Sequence, residues 1–257
     1  MLNKRVIPTL LLDNTGLVKG RNFKKHKYVG DPVNAVKIFN DKEVDELAIL
    51  DITATNENRR PNFELIKNIA SQAFMPFAYG GGLRELSDIE MLFKIGVEKA
   101  ILNTVAVENL SLVSAASQIV GQQSIVVSID YKKTFFGGKK VFTHSGKNNS
   151  KLDPIEYALR VQDAGAGEII VNSIDNEGTL KGYDYELIQD LSTKLDIPVI
   201  ASGGAGCLED FKQAVDVGAS AVAAGDMFTF HGKHKAVLIT YPKYAELENL
   251  FKGQNNE

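Results

Sequence analysis

Two junctions in this chain have the composition of an anion cradle. Met75-Pro-Phe-Ala-Tyr-Gly-Gly-Gly-Leu-Arg84 and Ile197-Pro-Val-Ile-Ala-Ser-Gly-Gly-Ala-Gly206 each read as a buried strand that ends in glycines and hands over to a helix. Glycine lets the backbone approach a ligand closely, so that successive N–H groups can bind a phosphate. Gly81 and Gly82 in the first junction, and Gly203 and Gly204 in the second, are therefore candidate ligands for a molecule with two phosphates, with Gly225 a further phosphate candidate and Ser202 a substrate-binding one. Asn103 and Thr104 close another apolar run and can donate to a phosphate or a ribose. Carboxylates end three further runs. Asp130 closes Ser124-Ile-Val-Val-Ser-Ile-Asp and is the candidate general base. Asp51 closes Ala48-Ile-Leu-Asp, while Asp175 and Glu177 follow Asn172-Ser-Ile; each can hold a substrate hydroxyl or serve the backbone of its own loop.

The elements that must position these groups repeat. A shift of 122 residues takes Gly81 onto Gly203, Leu50-Asp-Ile-Thr53 onto Asn172-Ser-Ile-Asp175, and Ile101-Leu-Asn103 onto Ala223-Ala-Gly225. Two related halves with the same element order call for a repeat fold. Short β-branched runs alternate throughout with segments whose apolar residues recur at three and four. Strands are expected near 5–12, 45–51, 76–79, 99–103, 124–130, 168–173, 197–202 and 220–225, and helices near 32–41, 60–73, 86–95, 107–118, 153–165, 183–194, 207–217 and 242–251. Asp31 before Pro32 and Asp153 before Pro154 mark two helix starts. Eight such units predict one α/β domain over residues 1–257, a parallel sheet closed into a (βα)8 TIM barrel with a two-fold half-barrel repeat, in preference to an open doubly wound sheet. Chemistry then belongs on the loops that follow the strands. Two of these are long. Residues 13–30 carry Lys19, Arg21, Lys24, Lys25, His26 and Lys27, and can fold over an anion; residues 131–151 carry a hairpin, Thr134 to Thr143, followed by polar Ser145-Gly-Lys-Asn-Asn149.

Composition narrows the remaining classes. The 257 residues are 44% hydrophobic and 24% charged, as in an ordinary globular domain, and the net charge of −3 leaves no electrostatic footprint for nucleic acid. No run has the apolar length of a membrane span, and Met1-Leu-Asn-Lys-Arg5 has no signal-peptide core, so the expected location is the cytoplasm. A single cysteine, Cys207, excludes a disulfide framework, and His231 with His234 lacks the further ligands of a metal site. No Walker A, Rossmann or nucleophile-elbow pattern occurs, and no cofactor is expected. Gly253 to Glu257 read as a frayed tail.

Ordered matches along the chain carry a family resemblance. They include Lys4-Arg-Val-Ile-Pro8, Val18-Lys-Gly20, Leu50-Asp-Ile-Thr53, Gly80-Gly-Gly82, Asn103-Thr104, Ser128-Ile-Asp130, Ser145-Gly-Lys147, Gly165-Ala-Gly-Glu168 and Ala201-Ser-Gly-Gly-Ala-Gly206. The chain resembles the cyclase subunit of imidazole glycerol phosphate synthase, the HisF family. The resemblance implies a heterodimer with a HisH-like glutaminase, whose ammonia the barrel adds to the bisphosphorylated substrate PRFAR, giving imidazole glycerol phosphate and AICAR in histidine biosynthesis. It implies a catalytic lysine at Lys19 and a catalytic aspartate at Asp130, and a charged ammonia gate formed by Arg5, Glu46, Lys99 and Glu168. Glu98 and Gln123 are carried over as partner-face residues.

Two positions depart from the family pattern. The family places a second catalytic aspartate where this chain has Leu11. Asp13 has the same side-chain parity and is the candidate replacement, displaced by roughly 6–7 Å along a strand. Asp226 stands where the family has a small hydroxyl residue beside a phosphate, and there it is expected to repel a phosphate dianion unless it turns away or binds a cation. Both departures point to a divergent second copy. Such a barrel resembles those encoded with surface-polysaccharide genes, which relay ammonia toward a separate amidotransferase acting on a nucleotide-sugar.

Overall fold

The alternation of apolar runs resolves into eight parallel strands in a computed structural model that describes residues 4–135, 137–232 and 236–252. His234 and the tail from Gly253 to Glu257 lie outside the described residues. The barrel strands are β1 (Arg5–Asp13), β2 (Leu47–Asp51), β3 (Phe77–Gly80), β4 (Lys99–Leu102), β5 (Ile125–Lys133), β6 (Glu168–Ser173), β7 (Val199–Ser202) and β8 (Ala221–Ala224). Each pairs in parallel with the next, and β8 returns to β1 through Arg5 opposite Ala221 and Ile7 opposite Ala223. That last pairing closes the sheet and decides against the open doubly wound alternative.

Helices cover the outside where their apolar stripes demand it. Helix Pro32–Asp41 begins at Asp31, whose side chain accepts from the Asn34 N–H, and helix Pro154–Asp163 begins at Asp153, which accepts from Ile155 and Glu156. Proline at the first helical position costs no hydrogen bond, because that N–H has no helical partner. The strands face two cores. One lies between sheet and helices; the other fills the barrel with Ile7, Ala48, Ala78, Ile101, Val126, Ile200, Ala221 and Ala223. Four of those eight are alanines, so the middle of the barrel is lined thinly.

The two long loops are more ordered than their sequences suggest. Residues Gly16–Arg21 and Lys24–Gly30 form an antiparallel hairpin that continues β1, with Leu11 opposite Val18 and Arg21 opposite Lys24. Its two-residue turn, Asn22-Phe23, has φ of 52° and 60°. Turns of this hand ordinarily use Asn-Gly, and a phenylalanine there is conformationally costly, which conceals the hairpin from sequence inspection. The expected hairpin after β5 is shifted. Its arms are the end of β5 itself, Tyr131–Lys133, and the strand Lys139–Thr143, so the barrel strand runs farther than its apolar stretch.

Candidate functional site

A cavity of about 870 Å³ opens at the carboxyl ends of the strands. It brings together Lys19, Asp51, Gly81, Gly82, Asn103, Thr104, Asp130, Ser145, Glu177, Ser202 and Gly225. Gly81 has φ of 115° and Gly82 of 71°, and a Cβ on Gly81 would run into the carbonyl oxygen of Asp51. Only glycine fits that turn; both glycines line the cavity, and the Gly82 N–H donates to Thr55 Oγ1 at 3.3 Å.

Asp130 is the titratable centre of the cavity. It is 9% exposed and accepts from Asn172 Nδ2 at 3.0 Å and from Ser128 Oγ at 3.2 Å. Burial pushes its carboxyl up to about 6; the two hydrogen bonds favour the ionised form but do not offset the lost hydration. A carboxyl poised there takes and returns protons near neutral pH, as a general acid–base requires. Asn172 had no sequence motif of its own, yet it is the third inward-facing residue of β6 after Glu168 and Ile170, and a polar residue at that parity in an apolar run is the signal that marks it.

The raised carboxyl has a stability consequence. The folded protein holds this proton more tightly than the unfolded chain, so the contribution is largest below about pH 3.8 and is lost as pH rises to about 6. Asp130→Asn removes the dependence and keeps an oxygen to accept from Ser128 and Asn172. At about 1.36 kcal/mol per pH unit, and with cavity water reducing the cost, the variant is expected to gain roughly 1–3 kcal/mol at pH 7–8. Urea titrations at pH 4 and pH 8 should show the gain at pH 8 only.

Lys19 is fully buried on the hairpin. Its ammonium lies 2.7 Å from Glu177 Oε1 and 3.6 Å from Asp226 Oδ1. Burial disfavours its charge, but the two carboxylates outweigh that and hold it above the ordinary lysine value. Asp51 is committed to its own loop: Oδ1 accepts from the Thr53 N–H, the Thr53 hydroxyl and the Ala54 N–H, and Arg59 Nη1 reaches Oδ2 at 3.5 Å. Ser145 donates to the Ile52 carbonyl at 2.7 Å and accepts from Asn56, tying the loop after β5 to the loop after β2.

Five candidates lie off this cavity. Asp13 keeps the parity of Leu11, but β1 has by then passed the rim, and Asp13 pairs with Gly16 across the Asn14-Thr15 turn that leads into the hairpin and accepts from Asn14 Nδ2. Leu11 itself lines the cavity, so the inward position opposite Asp130 is apolar. Asp175 is exposed and accepts from the Lys133 N–H. Gly203, Gly204 and Asp226 are buried behind the cavity wall. Sequence reasoning missed Phe23, which its unusual backbone brings to the cavity against Gly146.

At the opposite end of the barrel, four charges close into a ring. Arg5 contacts Glu46 at 2.6 Å and Glu168 at 2.9 Å; Lys99 contacts Glu46 at 3.0 Å and Glu168 at 3.1 Å. Ala48, Ile101 and Ile170, each two residues beyond Glu46, Lys99 and Glu168, already line the cavity. One inward layer, roughly 6–7 Å of strand, therefore separates the ring from the cavity. Glu98 and Gln123 are exposed on that end.

A closed (βα)8 barrel with its cavity and a buried, raised carboxyl at the strand carboxyl ends is the arrangement of barrel enzymes. Within that class the chain belongs to the histidine biosynthesis protein family, whose model matches residues 5–235. It is 49% identical over 249 residues to a Pseudomonas aeruginosa protein provisionally named imidazole glycerol phosphate synthase subunit hisF2, spanning 96% of this chain and 99% of that one. A Vibrio vulnificus protein, provisionally named subunit hisF3, is 46% identical over 96% of this chain and 95% of its own length. Subunit HisF of imidazole glycerol phosphate synthase from Streptomyces coelicolor is 41% identical over 88% of this chain and 90% of its own length. Among the described residues no group of His, Cys, Asp and Glu is placed to hold a metal, and no helix is long and apolar enough to cross a membrane.

Proposed function

We propose that this barrel is the ammonia-receiving subunit of a glutamine amidotransferase complex of the HisF type, paired with a HisH-like glutaminase. The observation that carries this reading is the four-charge ring lying one layer beneath the cavity. A small neutral molecule released against the ring has a short, alanine-lined path to Asp130, and ring charges that satisfy one another present no net charge to hold an ammonium ion. PRFAR cyclisation is impaired in this protein because Leu11 stands where the family's second proton-transfer group belongs. That substitution favours a second role, relay of ammonia onward to a separate amidotransferase acting on a nucleotide-sugar, as in surface-polysaccharide biosynthesis.

The test is glutaminase stimulation. Mixing the barrel with its partner glutaminase should raise glutamine hydrolysis, and the pair should co-elute from a sizing column. A barrel that binds no glutaminase, or leaves its rate unchanged, overturns both roles.

A further inference from the structure

The two half-barrels offer an anion unequal sites. The 122-residue repeat places Gly203, Gly204, Gly225 and Asp226 on Gly81, Gly82, Asn103 and Thr104. All four first-half residues line the cavity; of their counterparts only Gly225 does. Gly203 backs onto Ser173 and Asn172, and Gly204 onto Gly182 and Asn176. The hairpin covers this half: the Asn22 N–H donates to the Glu177 carbonyl at 2.9 Å, and its side chain donates to the Ile174 and Asp175 carbonyls. The Lys19 side chain fills the space a Cβ on Gly225 would need.

Charge adds to the steric difference. The cation brought to the second half, Lys19, already faces two carboxylates, Glu177 and Asp226, whose combined charge exceeds its own. Asp226 is 6% exposed, and by the repeat it stands where the first half has Thr104, whose hydroxyl accepts from the His144 N–H. Asp226 therefore turns onto an internal cation. Arg84 and Lys147 line the cavity into which the first-half glycines open.

We propose that the cavity takes a ligand bearing one phosphate, seated on Gly81, Gly82, Asn103 and Thr104, and that Asp226, by holding Lys19 and its hairpin over the second half, excludes a second. This rests on the mouth being the ligand site of the complex. A bisphosphate of the PRFAR kind would then gain nothing from its second group.

In protein labelled with 15N-glycine, inorganic phosphate is expected to shift the amide signals of Gly81 and Gly82 and to leave those of Gly203 and Gly204 in place. Thr104→Asp, which gives the first half the carboxylate of the second, should abolish the response. Asp226→Ser should add shifts at Gly203 and Gly204 and tighten phosphate binding. Movement of both glycine pairs in the unmodified protein, movement of neither, or unchanged or weaker affinity in Asp226→Ser overturns the proposal. Thermal melting of each variant confirms that it is folded, and the two substitutions test opposite halves, so loss of fold in one leaves the other decisive. Glutaminase stimulation involves no phosphate, so a negative result there and one here are separate findings.

Discussion

Leu11→Asp is expected to raise kcat for PRFAR with ammonium by about 10²- to 10⁴-fold, the usual contribution of one positioned acid or base. β1 and β5 are four strands apart in either direction around the closed sheet, so Leu11 faces the cavity from the side opposite Asp130. If Asp130, raised by burial to about 6, is one proton-transfer partner of the proposed reaction, the position facing it across the cavity is a hydrocarbon. The substitution supplies the missing group at an inward position with no change in register, since Leu11 pairs with Leu50 and Val18 through backbone bonds that Asp retains. KM should stay high, because the second half-barrel, with Gly203, Gly204 and Asp226 behind the cavity wall, leaves the second phosphate of the substrate without a seat. Adding Asp226→Ser should lower KM while leaving the gain in kcat. AICAR release followed by absorbance separates the two parameters; a gain below tenfold in kcat, with the fold intact, would show that Leu11 does not limit cyclisation.

Local pattern was enough for the framework and insufficient for the site. The start of helix Pro32–Asp41 is legible because Asp31-Pro32 is a local signal, and strand Glu168–Ser173 because polar residues bracket the β-branched run Ile169-Ile-Val171. The inward parity of Arg5, Glu46, Lys99 and Glu168 is likewise readable along each strand, but their closure depends on strand stagger around the barrel, and family resemblance supplied that grouping. The inequality of the two half-sites is legible only in Asp226. The repeat suggests equivalent glycine cradles, whereas what covers the second is a hairpin contact between Asn22 and Glu177, far apart in the chain. The hairpin was itself hidden by Phe23 in a left-handed conformation. The resemblance singles out Lys19 among the basic residues of its loop, but its burial follows from the hairpin's pairing, which no local composition reveals.

The floor ring gives the largest expected loss of stability. Each carboxylate in it contacts both cations, so Lys99→Met leaves two carboxylates, 5% and 12% exposed, facing Arg5 alone. Removing one member of a buried ion pair commonly costs 3–5 kcal/mol, because the remaining charge keeps its desolvation penalty without its partner. Solvent reaches Arg5, which is 29% exposed, so about 2–4 kcal/mol is expected here. Adding Glu168→Gln restores neutrality, with the amide still able to accept from Arg5, and should recover more than half of that loss. Urea denaturation of the two single variants and the double variant yields the coupling directly, and additive effects would show that the four charges only cap the barrel independently. The same double variant separates stability from passage. With the fold restored and one ion pair gone, the floor is no longer held shut on that side, so glutamine-driven ammonia should escape to solvent in larger proportion while glutaminase binding persists. Trapping free ammonia with glutamate dehydrogenase in the mixed complex measures that proportion, and an unchanged ratio would assign the ring to structure alone.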